Sequence, residues 1–278
     1  MNFLQTININ GELIDLSVPK IMGIINVTPD SFYAGSRQQG IDEILKKADQ
    51  MMNEGATFLD IGGYSSRPGA DNISSEEELS RVIGPIEAIN KKLPEAIISI
   101  DTFRTSVASE ALDCGAKMVN DISGGDLDPK MFELVQTRQV PYVLMHMRGT
   151  PQNMKEKTDY TDVVKEIIAA ISVKLNKLSK MGVNDIIVDP GFGFAKTVEQ
   201  NFEILSKLEA LKILNRPLLV GLSRKSMIYK TLNVSPEETL NGTTVANTLA
   251  LLKGASILRV HDVKEASEAI ELVKHFSH

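Results

Sequence analysis

Eight times along this chain a short, nearly unbroken apolar run ends on a polar side chain and gives way to a segment of helical length. Ile21-Met22-Gly23-Ile24-Ile25-Asn26 is the first, breaking into the turn chemistry of Thr28-Pro29-Asp30-Ser31. Such a run reads as a strand buried on both faces, the mark of a parallel sheet under helices. The others are 57–61, 97–101, 118–121, 142–146, 186–189, 218–223 and 256–260. Strict alternation with helices implies right-handed crossovers, and eight staves close naturally into a (β/α)8 TIM barrel. An open doubly wound sheet is the alternative that the same pattern allows.

Ahead of the first run, Leu4 to Ile9 alternates apolar and polar, Asn10-Gly11 follows, and Leu13 to Leu16 resumes. Asn-Gly between two such stretches predicts a β-hairpin, here over 3–17, capping the barrel. A long loop to Gly40, expected to be mobile, separates the first strand from a helix over 41–53. Further helices are expected over 75–92, up to Cys114-Gly115, and over 129–137, 162–181, 198–214 and 263–276, with helical segments between 225 and 253. Ser75 followed by Glu76-Glu77-Glu78 has the pattern of an N-cap with an acidic first turn.

At 278 residues the chain matches the size of one such barrel, and 1–278 reads as a single domain. A net charge of −6 argues against nucleic acid, whose partners carry a basic face, so an anionic ligand needs local cations. Cys114 is the only cysteine, no paired-cysteine zinc spacing occurs, and the first ten residues lack a signal-peptide stretch. No run approaches the roughly 18 apolar residues of a membrane span. These features point to a cytoplasmic protein that contacts neither membrane nor nucleic acid.

Barrel enzymes gather their chemistry at the C-terminal rim. The residues ending the runs are Asn26, Asp60, Asp101, Asn120, Asp121, His146, Asp189, Ser223, Lys225, Arg259 and His261. One polar strand end is commonly a helix cap; a ring of them over a packed core is a site for a polar ligand. Arg67, Lys225, Arg259 and His261 supply cations, and Ser223 to Ser226 places backbone N–H groups at a helix start, which suits phosphate or carboxylate. Asp101, Asn120 and Asp189 suit the edge of a flat heterocycle with alternating donors and acceptors. His146 reads as a hydrogen-bonded structural histidine rather than a zinc ligand, and Gly191-Phe192-Gly193-Phe194 as a flexible turn. Any metal would be Mg²⁺ on oxygen donors such as Asn26 and a substrate phosphate.

Eight segments carry a resemblance to the dihydropteroate synthases, the sulfonamide-target enzymes of folate synthesis. They are IMGIINVTPDSF from Ile21, DIGGYSSRPGA from Asp60, ISIDTFR from Ile98, VNDISGG from Val119, LMHMRGTP from Leu144, DPGFGFAKT from Asp189, VGLSRKSMI from Val220 and ILRVHDVKE from Ile257. They occur in the family's order and span nearly the whole chain. Two departures fall on loops over the expected site: Ala34 stands where many relatives have Asp, and Tyr64 where Glu is common.

The resemblance implies condensation of 6-hydroxymethyl-7,8-dihydropterin diphosphate with para-aminobenzoate, through a pterin methylene cation formed as pyrophosphate departs. It assigns Asn26 to Mg²⁺ and the diphosphate, and Arg67, Arg259 and His261 to the diphosphate oxygens. Asp189 and Asn120 take the amino-pyrimidinone edge, Lys225 the opposite edge, and Ser66 contacts the pterin. Asp101 opposes the developing positive charge, and with Lys225 forms the catalytic pair. Phe32, Pro68, Phe194 and Ser226 form the para-aminobenzoate site. A homodimer is implied by the family alone. A pterin-binding methyltransferase-like domain and a non-catalytic pterin-binding homologue are the alternatives; the first needs no cationic clamp, and the altered loop at Ala34 favours the second.

Overall fold

The computed structural model describes residues 6–27, 37–65 and 72–276. Strands β1 (Thr6–Ile9) and β2 (Glu12–Asp15) form the expected antiparallel hairpin, with Ile9 paired to Glu12. Asn10 and Gly11 both take positive φ, 52° and 91°, the twist that a two-residue turn between right-handed strands requires. Residues 3–5 of the expected hairpin lie outside the described residues.

Eight parallel strands follow: β3 (Lys20–Asn26), β4 (Phe58–Gly62), β5 (Ile97–Asp101), β6 (Met118–Asp121), β7 (Tyr142–Met145), β8 (Ile186–Asp189), β9 (Leu219–Val220) and β10 (Ile257–Val260). Neighbours pair in chain order from β3 to β8, while β10 lies between β3 and β9. A parallel bridge from Val188 to Leu218, with Val188 N–H donating to Pro217 at 2.9 Å, joins β8 to the start of β9 and completes a nearly closed barrel. The helices are α1 (Arg37–Asn53), α2 (Ser75–Lys92), α3 (Thr105–Asp113), α4 (Met131–Arg138), α5 (Val163–Lys180), α6 (Val198–Ser206), α7 (Ser226–Leu232), α8 (Leu240–Leu252) and α9 (Val263–Phe276).

Two apolar layers divide the work. The outward strand residues, such as Ile25, Leu59, Ile61, Ile98 and Val188, pack under the helices in one large cluster. Inside the barrel, Met22, Phe58, Met118, Val143, Ile187, Leu219 and Ile257 form a floor, with Ile97 packed against it. Ile7, Ile9 and Leu16 of the hairpin segment seal it from below, and Asn8 N–H donates to Asp185 Oδ1 at 2.8 Å. Every strand contributes one residue to this floor, and side chains alternate faces along a strand. The next inward residue up each strand therefore belongs to the interior above the floor.

Differences from expectation sit at element ends. Helix α1 begins at Arg37 rather than Ile41, and the α2 cap is Ser74, not Ser75: its hydroxyl accepts from Glu77 N–H at 3.2 Å. The segment 198–214 is an α-helix only to Ser206, then a 3-10 turn over Leu208–Leu214. Strand β9 is two residues long; Gly221 and Leu222 carry no strand pairing and a turn begins at Ser223. No helix among the described residues is long and apolar enough to cross a membrane.

Candidate active site

Register builds the site. Asn26 pairs with Gly62, Gly62 with Asp101, and Asp101 with Asn120, so these four lie in one row across β3 to β6. Two residues below Gly62 on β4, and on the same inward face, lies Asp60. Gly62 leaves room for Asp101: a Cβ there would sit 3.4 Å from the Asp101 Cβ. On β8, Asp189 pairs with Met145, and its Oδ1 accepts Gly191 N–H at 2.7 Å, which turns the chain over the mouth.

Arg259 crosses the barrel and ties two of these strands together. Its Nε donates to Asp60 Oδ2 at 2.6 Å and its Nη2 to Asp101 Oδ2 at 2.5 Å, while Asn120 Nδ2 donates to the same Asp60 oxygen at 2.9 Å. Burial works against the guanidinium charge, but Asp60 and Asp101 outweigh it and hold the group above its ordinary range. Burial pushes the Asp101 carboxyl up to about 7, with Arg259 opposing the rise and Asp60 and Glu78 adding to it. Two carboxylates on one guanidinium leave this part of the mouth with an excess of negative charge, ready for a ligand that donates hydrogens or develops positive charge. Burial also raises the Asp189 carboxyl.

Opposite stands Lys225, the N-cap residue of α7. Its Nζ donates to the Phe192 carbonyl and lies 4.4 Å from the centre of the Phe194 ring. Burial lowers the ammonium to about 8, partly offset by Asp189. The turn Gly191 to Phe194 is not the flexible turn its composition implies. Lys196, which is 9% exposed, reaches beneath it, and its Nζ donates to the carbonyls of Gly191 and Phe194, each at 2.9 Å. Gly193 must lack a side chain, since a Cβ would lie 2.9 Å from Lys225 Cδ and φ is +80°. Lys196 Nζ also lies 3.2 Å from His146 Nδ1. Burial depresses His146 to about 2 and Lys196 to about 7, so this histidine is neutral and structural, as expected. Lys196→Met strips two buried carbonyls of their donor, and each orphaned group costs about 1–3 kcal/mol. Urea unfolding will show a loss of that order, and ligand affinity at the mouth will fall with it because Lys225 and Asp189 flank the freed turn.

His261 follows β10. The Ser223 hydroxyl accepts its backbone N–H at 3.3 Å and faces its Nδ1 at 3.0 Å, an arrangement satisfied by a neutral ring carrying its proton on Nε2. Burial, then the charges of Arg224, Arg259 and Lys47, depress it to about 3. His261 is thus a neutral donor at the rim, not the cation that residue type implies. Asn26 ends β3 with an exposed side chain, Ser226 opens α7, and Phe194 packs among Ile122, Met145, Met147 and Met154. Phe32, Ser66, Arg67 and Pro68 lie outside the described residues, as does Ala34.

A family model described as "Pterin binding enzyme" matches residues 22–261, which takes in all eight barrel strands except the first two residues of β3. The dihydropteroate synthase of Escherichia coli (strain K12) is 42% identical over 266 residues, covering 95% of this chain and 94% of its own length. This chain belongs to the dihydropteroate synthase family. Among solved structures, dihydropteroate synthase from Yersinia pestis with a sulfonamide drug complex superposes with a TM-score of 0.91 at 38% identity, covering 98% of this chain and 99% of that one. The Xanthomonas albilineans dihydropteroate synthase in complex with 7,8-dihydropteroate gives a TM-score of 0.87 at 33% identity, with 98% of each chain covered.

Set in the dihydropteroate synthase family, the geometry brings together Asp101, Asn120, Asp189, Lys225, Arg259 and His261 as the sequence pattern implies. It also places two residues that were given no role. Asp60 was visible as one more polar strand end; its two donors come from β6 and β10, which sequence spacing does not relate. Lys196 carried no signal at all, since a lysine after a glycine-rich turn reads as a solvated charge. Tyr64, the departure from the commoner Glu, is packed edge-on to Phe103 with ring centroids 5.0 Å apart, and its hydroxyl accepts from Gln152 Nε2 at 2.6 Å.

Proposed function

We propose that this protein is a dihydropteroate synthase. It joins 6-hydroxymethyl-7,8-dihydropterin diphosphate to para-aminobenzoate, giving 7,8-dihydropteroate and pyrophosphate. The observation that carries the reading is the division of the mouth: acceptors on Asp101, Asn120 and Asp189 face a donor on Lys225, with Arg259 and His261 at one end. A flat aminopyrimidinone ring fits the first set, and its diphosphate tail fits the second.

In the proposed reaction the bond from the methylene carbon to the diphosphate oxygen breaks, and the electron pair leaves with pyrophosphate. The amine nitrogen of para-aminobenzoate then bonds to the methylene cation and gives up a proton. Asp101 stabilises the cation as it forms, since charge placed where charge develops lowers the barrier. Arg259 and the Nε2 proton of His261 receive the departing oxygens; a neutral donor next to bound cations holds the tail without tightening it excessively. The Phe194 ring beside Lys225 and the start of α7 at Ser226 support an aminobenzoate site there, completed by Phe32 and Pro68.

Among the described residues no group of three or more His, Cys, Asp or Glu is placed to hold a metal ion. The oxygen of Asn26 fits Mg²⁺ that arrives with the diphosphate and keeps most of its waters. Bound there, Mg²⁺ supplies neutralisation of the leaving group's charge. Pyrophosphate release from the pterin diphosphate, measured with and without para-aminobenzoate and Mg²⁺, tests the reading. Release with a dihydropteroate product supports it; retention of the substrate without turnover identifies a binding homologue instead.

A homodimer in the cytoplasm completes the proposal. Helix α8 carries no charged side chain, and Val245, Leu249 and Leu252 remain exposed on it, with Leu272 and Phe276 on the adjoining α9. Apolar helices of this kind are normally covered. Leu249→Glu is expected to shift the protein from dimer to monomer in sedimentation equilibrium while leaving the pterin site formed; a monomeric wild type would overturn the assignment.

A further inference from the structure

Asn120 offers a ring edge either an oxygen or an NH2 group, depending on which way its amide faces, and that choice decides which rings fit. Asp60 makes the choice. It is fully buried, and its Oδ2 accepts from both Asn120 Nδ2 at 2.9 Å and Arg259 Nε at 2.6 Å. With two N–H donors on it, this oxygen acts only as an acceptor. Turning the amide over would set the Asn120 oxygen against the Asp60 oxygen, two acceptors in contact with no proton between them. Arg259 Nε holds the same oxygen as an acceptor from the other side, so no proton is left there for a turned amide to receive.

The direction follows from register. Asn120 lies in the row of Asp101 and Gly62, two residues nearer the mouth on β4 than Asp60. With Nδ2 turned down to Asp60, the carbonyl oxygen is the end left for the mouth. This is the only side-chain hydrogen bond that Asn120 makes among the described residues. Asp189 adds a second acceptor, its Oδ1 already engaged by Gly191.

We infer that Asp60 is a positioning residue that locks the polarity of Asn120, so that the mouth selects rings whose edge donates hydrogens, a 2-aminopyrimidine, over their 2-oxo counterparts. The inference rests on the pterin reading and goes beyond it by naming what enforces the ring choice. A site built around a hydrogen-bonding group rejects an analogue that cannot match it, whereas a site free to turn an amide over accepts both.

Dissociation constants for 6-hydroxymethylpterin and for 6-hydroxymethyl-lumazine, its 2-oxo counterpart, measured by calorimetry test this without a diphosphate to complicate the comparison. Wild type is expected to prefer the 2-amino ring; failure to bind either ring sinks the pterin reading itself, not the lock. In Asp60→Ala the amide is released, and the preference is expected to shrink at least about tenfold. Asp60→Asn presents an amide oxygen that can take both bonds, and it is expected to retain most of the preference. Should Asp60→Ala fail to fold, Asp60→Ser, whose hydroxyl is too short to reach both donors, gives the same comparison. Equal weakening for the two rings in the Ala or Ser variant, with the preference intact, means a merely structural role and overturns the proposal. So does loss of the preference in Asp60→Asn as well, because the carboxylate charge would then be acting on the ring directly.

Discussion

Asp101→Asn is expected to lower kcat by about 100- to 1,000-fold, the cost of removing one preorganised electrostatic contact from a reacting centre. The substitution changes charge and little else. An asparagine oxygen still accepts from Arg259 Nη2, the bond now seen at 2.5 Å. Pterin diphosphate binding should therefore fall far less than turnover, since ground-state contacts survive and the interaction with the cation does not. Single-turnover kinetics separate the two, and unchanged turnover would refute the role given to Asp101.

The pH profile supplies an independent check. Asp101 lies near 7 and Lys225 near 8. Below the first value the carboxylate takes up a proton and loses the charge that opposes the cation; above the second the ammonium loses the proton it donates. The profile of kcat/KM in wild type is expected to be bell-shaped and narrow, its limbs reporting the coupled groups of the free enzyme. In Asp101→Asn the acid limb should vanish or move well down, while the basic limb persists. An acid limb that stays near 7 in the variant would assign it to another group, with buried Asp189 the first alternative.

What the sequence made legible, and what it hid, divides along one physical line. Residues two apart on a strand share a face, so Phe58 and Asp60, Met118 and Asn120, Ile187 and Asp189, and Ile257 and Arg259 each pair a floor residue with a polar one above it. Polar side chains at inward parity in apolar runs announce an interior site before any coordinates exist. Bonds between strands are another matter. Asp60 meets Asn120 across 60 positions and Arg259 across 199, through strand order and stagger that periodicity does not encode. The charge state of His261 was hidden for the same reason: it depends first on burial and then on Arg224, Arg259 and Lys47, the last from α1 on the far side of the sequence. The start of α2 was misread because two residues, Ser74 and Ser75, compete for one cap.

Arg259→Met should cost more stability than any of the other substitutions, and the cost should depend on pH. In the native protein one guanidinium answers two carboxylates, and its side chain is 20% exposed while that of Asp60 is wholly buried. Methionine fills the space but leaves two like charges beside each other out of water. Breaking a buried ion pair from one side costs about 3–5 kcal/mol. Asp101 can relieve part of that cost by taking up a proton, which raises it further from a position already near 7. A folded-state value above the unfolded one means that the folded protein binds more protons between the two values, so stability falls as pH rises through that window. The variant is accordingly expected to lose least near pH 5, where Asp101 holds its proton, and most near pH 9, where it must give it up. Urea unfolding of both proteins at the two pH values measures the difference. An equal loss at both would mean that the carboxylates relax apart or that water reaches them, and the tight Asp60–Arg259–Asp101 bridge would then not be what sets the charge of the mouth.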